Sequence, residues 1–139
     1  MSESNSAALQ TAMAYYRAWS SHDFDLAMTY IADDIVCHTP AGRLSGAQAF
    51  REFMGPFSQI VTASEVIAAF GDERRAVLMY DADTVPVLDA PGAECLTVVD
   101  GTITEIRIIF DRLPFAAARE AAAGPGAAAG PGDAAGPGE

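Results

Sequence analysis

Apolar and polar positions alternate most regularly over Thr102–Phe110, where Ile106, Ile108 and Phe110 share one face of an extended chain and Glu105, Arg107 and Ile109 share the other. The preceding Asp100-Gly101 pair is the signal of a two-residue hairpin turn. The spacing therefore predicts a strand that covers a core with one face. Three further strands, residues 64–70, 75–85 and 93–99, are predicted upstream from their branched side chains. Gly71-Asp72-Glu73 and Leu88-Asp89-Ala90-Pro91-Gly92 supply turn chemistry between them, so consecutive strands should run antiparallel.

The first half of the chain has the helical period instead. Leu9, Ala12, Met13, Tyr16 and Trp19 recur at three and four residues, which predicts a helix over Ala7–Ser20. Ser21-His22 breaks it, Asp23 can cap a second helix, and Leu26, Ala27, Tyr30 and Ile31 keep helical spacing until Asp33-Asp34. Residues 35–39 read as a short strand stopped by Pro40, and 42–46 as a loop. Phe50, Phe53 and Met54 mark the apolar side of a third helix over 47–61, which Pro56 should kink or shorten. Helices followed by a run of antiparallel strands is the α+β pattern.

The character changes after Phe115. Residues 116–123 are compatible with a short helix, but Gly-Pro-Gly then recurs every six residues, at 124–126, 130–132 and 136–138, separated mostly by alanine. Such a segment has no side chain with which to build a core. The expected organisation is a flexible lead at 1–6, one folded domain over 7–115 and a disordered Ala/Gly/Pro-rich tail over 116–139.

At 139 residues there is room for one domain, and a hydrophobic content of 50% can bury a core without disulfide staples. A net charge of −11 argues against nucleic acid and anionic membranes as partners. All eight basic residues are arginine, which excludes lysine Schiff-base chemistry and a P-loop. Cys37 and Cys95 lie far apart, with no targeting or membrane-spanning segment, and are expected to be reduced thiols in a cytoplasmic protein.

Three segments carry a resemblance. They are Ala32-Asp33-Asp34-Ile35-Val36-Cys37-His38-Thr39-Pro40, then Gly46-Ala47-Gln48-Ala49-Phe50 opening the third helix, and the strand from Asp100-Gly101-Thr102-Ile103 to Phe110-Asp111. Together they resemble the SnoaL-like and ketosteroid-isomerase-like branch of the nuclear transport factor 2-like superfamily, over about residues 7–115. The resemblance implies a cone of three N-terminal helices packed on a long, curved antiparallel sheet. It also implies a small hydrophobic or polyketide-like ligand, no cofactor, no metal, and a homodimer formed through the outer sheet face. The implied chemistry is cofactor-free acid–base catalysis of cyclase, isomerase or epoxide-hydrolase type. A non-catalytic ligand-binding or association module is the alternative, because fold alone does not decide function.

Carried over position by position, the ketosteroid isomerase likeness puts Tyr15 at the place of an oxyanion donor. Thr39 stands where a general-base aspartate would be, and Cys95 lies nearest a second, protonated acid. The limonene epoxide hydrolase likeness puts Asp83 at one acid of an Asp-Arg-Asp site, with Asp81 at the arginine position and Ile108 at the other aspartate. Asp81 and Asp83 are two apart on a strand and so share a face. If that face lines the cavity they form an acid–base pair; simple alternation would turn Leu78, Tyr80 and Ala82 inward instead. His38 is a candidate proton relay, with a strand-edge or dimer contact as its other reading. The candidate catalytic groups are thus Asp83, Asp81, Tyr15 and His38, and the candidate ligand lining is Thr39, Cys37, Trp19, Phe53, Cys95, Ile106, Ile108 and Phe110.

Overall fold

In the computed structural model, Asp100 and Gly101 take φ values of 52° and 76°, the left-handed conformations that a two-residue hairpin turn requires, and they pair Val99 with Thr102. The structure describes residues 6–85 and 87–123, so the expectations for 1–5 and for the Gly-Pro-Gly repeats lie outside the described residues. Chain order is α1 (Ala7–Ser20), α2 (Phe24–Met28), β1 (Ile31–Thr39), β2 (Gly42–Ser45) and α3 (Ala47–Ile60), followed by β3 (Val61–Gly71), β4 (Arg75–Thr84), β5 (Ala90–Val99), β6 (Thr102–Phe110) and α4 (Leu113–Ala123). The strands form one sheet in the order β2-β1-β6-β5-β4-β3. This is the α+β cone, with three helices ahead of a long antiparallel meander.

Several elements differ from the sequence expectations. The second helix stops at Met28, not at Asp33-Asp34, because the Tyr30 carbonyl accepts a 2.7 Å hydrogen bond from the Ile103 amide and draws the chain into the sheet. β1 therefore begins at Ile31, carries a bulge before Val36, and runs parallel to β6, the one parallel pairing in an otherwise antiparallel sheet. The expected loop at 42–46 is mostly strand. Thr39 Oγ1 donates to the Gly42 carbonyl at 2.8 Å and accepts from the Ala41 amide at 3.0 Å, closing a hairpin that pairs Cys37 with Leu44. α3 continues through Pro56 to Ile60 without being shortened. Residues 116–123 form the short helix their composition allows, as part of α4, whose start is anchored where Asp111 Oδ1 accepts from the Leu113 amide.

The core lies between α1 and the concave face of the sheet. Helical spacing brings Ala8, Leu9, Ala12, Tyr15, Tyr16 and Trp19 onto one buried stripe. They meet Leu78 and Tyr80 of β4, Leu96 of β5 and Ile103, Ile106 and Ile108 of β6 in a single hydrophobic cluster. Phe50 and Met54 of α3 close its far side. Bulges in β1, β3 and at Thr97/Val98 bend the strands around α1, which is how one sheet can wrap a single helix. Among the described residues no helix is long and apolar enough to cross a membrane.

Candidate functional site

β5 turns Gly92, Glu94, Leu96 and Val98 inward. Glu94 therefore sits in an apolar stripe, 1% exposed, between Leu78 of β4 and Ile108 of β6 as its cross-strand partners. It is the one fully buried charged side chain among the described residues. The Tyr80 hydroxyl donates to Oε2 at 2.6 Å, whereas Oε1 has no hydrogen-bond partner. The Tyr15 hydroxyl and Trp19 Nε1, one helical turn apart on α1, are likewise buried without partners. Unpaired buried polar atoms are rare and expensive, each costing about 1–3 kcal/mol, so a cluster of them marks a place built for something else.

Burial pushes the Glu94 carboxyl up to about 7, although the Tyr80 hydrogen bond pulls the other way. At neutral pH both protonation states are therefore populated, which suits a group that must both accept and return a proton. Burial, with the nearby Glu94 charge, holds Tyr15 and Tyr80 well above the ordinary tyrosine range, so both stay hydrogen-bond donors. Cys37 projects inward from β1, and burial drives its thiol up to about 12, which keeps it from acting as a nucleophile. Among the described residues no three His, Cys, Asp or Glu side chains gather in a way that could hold a metal.

Of the residues singled out by sequence, Tyr15, Trp19, Cys37, Ile106 and Ile108 converge in this core. Phe53 and Phe110 are partly buried at its margin, while the fully buried α3 ring is Phe50. Asp81 and Asp83 do not join it. Leu78, Tyr80, Ala82 and Thr84 occupy the inward phase of β4, and a period of two leaves both aspartates on the outer face. There Asp83 Oδ1 accepts from the Asp89 amide at 2.9 Å, organising the β4–β5 connection. Cys95 also points outward, because its neighbours Glu94 and Leu96 take the inward positions. His38 lies on the outer side as well, its Nε2 2.8 Å from Glu105 Oε2. Thr39 is spent on the hairpin turn. The isomerase likeness placed a second acid nearest Cys95; the buried carboxylate of β5 is Glu94, one residue earlier. The signal was present in the sequence as a carboxylate in phase with Leu96 and Val98, an inward stripe otherwise apolar.

A family model described as SnoaL-like domain matches residues 12–106. The chain belongs to the SnoaL-like domain family. A solved structure from Kribbella flavida DSM 17836 is 62% identical to this SnoaL-like domain, covering 84% of this chain and 96% of that one with a TM-score of 0.82. A steroid delta-isomerase from Pseudomonas aeruginosa is 15% identical, covering 76% of this chain and 80% of that one, at a TM-score of 0.64. A candidate polyketide cyclase from Sinorhizobium meliloti is 20% identical, covering 71% and 93%, at a TM-score of 0.62. The last two show the shared fold alone. No curated protein matches the chain.

Proposed function

We propose that this SnoaL-like domain is a cofactor-free acid–base enzyme acting on a small hydrophobic ketone or polyketide-like molecule, with Glu94 as acid and base and Tyr15 as hydrogen-bond donor. The observation that carries this reading is the pair of buried, unpartnered oxygens, Glu94 Oε1 and Tyr15 Oη, in an apolar core with no buried cation among the described residues. Tyr15 and Glu94 are close enough to interact electrostatically, so a substrate carbonyl held by Tyr15 would present its adjacent carbon toward Glu94. Oε1 takes the proton from that carbon, the C–H electron pair moves into an enolate, and Tyr15 stabilises the enolate oxygen. Glu94, now protonated, returns the proton to carbon or oxygen, so the cycle balances without a cofactor.

The test is hydrogen–deuterium exchange of 2-tetralone at the carbons beside its carbonyl, followed by proton NMR in deuterated buffer. The wild type is expected to exceed Glu94→Gln by a hundredfold or more, the usual range of general acid–base catalysis being about 10²–10⁴. Equal rates in the two proteins would refute the reading. Binding of the ketone without exchange would instead favour the ligand-binding module.

We also infer a homodimer through the outer sheet face. Two cross-strand rows support it: Phe70, Val77, Cys95 and Arg107 form one, and Ala68, Met79, Ala93 and Ile109 the other. Phe70, Val77, Met79 and Ile109 are all exposed. Glu65 and Asp81 are cross-strand neighbours at one end of this patch, while Arg107 closes its first row and Arg75 lies beyond that row, so a two-fold copy can set acid against arginine. Light scattering should give twice the chain mass for the wild type and the single mass for Val77→Arg with unchanged circular dichroism. A monomeric wild type would remove the inference.

A further inference from the structure

Tyr80 and Gly92 face each other across β4 and β5. A Cβ at Gly92 would stand 3.0 Å from Tyr80 Cε1, 3.1 Å from Cζ and 3.2 Å from the hydroxyl oxygen, so the ring rests on the bare β5 backbone. From that seat the hydroxyl reaches along β5 to Glu94, two residues on. Tyr16 and Trp19 flank the ring from α1, with centroids 5.6 Å and 5.4 Å away. An extended strand puts residues two apart on the same face, so only a residue without a side chain at 92 lets the phenol lie over it and still meet the acid at 94.

We propose that Tyr80, seated on Gly92, is the positioning residue of this site, holding Glu94 by Oε2 and turning Oε1 toward the ligand. The proposal rests on the acid–base reading above and adds which carboxylate oxygen works. It also assigns Tyr80 a tuning role. The titratable groups facing Glu94 are Tyr15 and Tyr16 from α1, Tyr80 from β4 and Cys37 from β1. Across β6 it meets Ile108. Tyr15, Tyr16 and Cys37 are neutral near pH 7, and burial favours the protonated acid. Tyr80 is the neighbour whose hydrogen bond favours the carboxylate. Without it, burial would favour the protonated acid further and leave less of Glu94 available as a base.

The experiment follows the Glu94 carboxyl carbon by NMR across pH, its resonance assigned by its disappearance in Glu94→Gln. Tyr80→Phe should raise the titration midpoint by about one to two units, the range expected from losing a hydrogen bond to a charged group. Gly92→Ala keeps the phenol but displaces it, and should shift the midpoint in the same direction by less. Tyr16→Phe, which loses only the hydrogen bond to Ser64, should leave it in place. A midpoint in Tyr80→Phe equal to or below that of the wild type would overturn the role given to Tyr80, and an unshifted Gly92→Ala would overturn the role given to Gly92. A wild-type midpoint in the ordinary carboxylate range would instead defeat the acid–base reading, so the two failures are distinguishable.

Discussion

Glu94→Gln is expected to abolish a loss of about 3 kcal/mol in folding stability that the wild type undergoes as pH rises from about 4.5 to about 7. The folded protein binds the Glu94 proton more tightly than the unfolded chain does. Below about 4.5 both states carry the proton, and its contribution to stability is fully present. Between the two values the folded state holds more protons, so stability falls with rising pH; above about 7 that contribution is gone, and a buried carboxylate remains. Glutamine keeps the shape and an acceptor for the Tyr80 hydroxyl but cannot titrate. Urea denaturation of both proteins at pH 4, 6 and 8 measures the effect. The difference between them should grow in favour of Glu94→Gln with pH, and parallel curves would show that Glu94 gives up its proton as readily in the folded protein as in the unfolded chain.

Trp19→Ala is expected to destabilise the fold by about 3–5 kcal/mol, a large part of the roughly 5–15 kcal/mol available to a domain. Trp19 is fully buried, and its ring meets Tyr16 at 5.0 Å, Tyr80 at 5.4 Å and Phe57 at 5.7 Å. It thus joins α1 to both α3 and the sheet. The surrounding rings are stiff and cannot collapse into the vacated space, so the cavity penalty adds to the lost transfer energy. As Trp19 is the only tryptophan, unfolding should be followed by far-ultraviolet circular dichroism. A loss below about 1.5 kcal/mol would mean that the neighbours close over the gap.

How much of this was legible in the sequence varies by element, and the reasons are physical. α1 and β6 match their predicted bounds because a long periodic run buries one face whatever it packs against. β1 and β2 were harder to see. β1 gains its first residues from pairing with β6, a contact between segments far apart in the chain, and β2 exists because the Thr39 turn folds it back. The acid pair shows the limit most clearly. Asp81 and Asp83 share a face on sequence grounds, but which face meets α1 depends on Tyr80 and Leu78 finding Trp19, Leu96 and the rest of the cluster.

The sequence by itself determined the α+β class, the inward stripe of α1 and the apolar face of β6, because each rests on local periodicity and turn chemistry, while the cone and the family followed from the resemblance carried by three of its segments. Tertiary structure alone decided that Glu94, not the aspartates, is the acid of the core. Alternation gives a strand two faces without saying which is dry, and a carboxylate acquires an unusual proton affinity only where other segments exclude water from it. Glu94 reached that state through α1 above it, Tyr80 beside it and Gly92 making way for the ring.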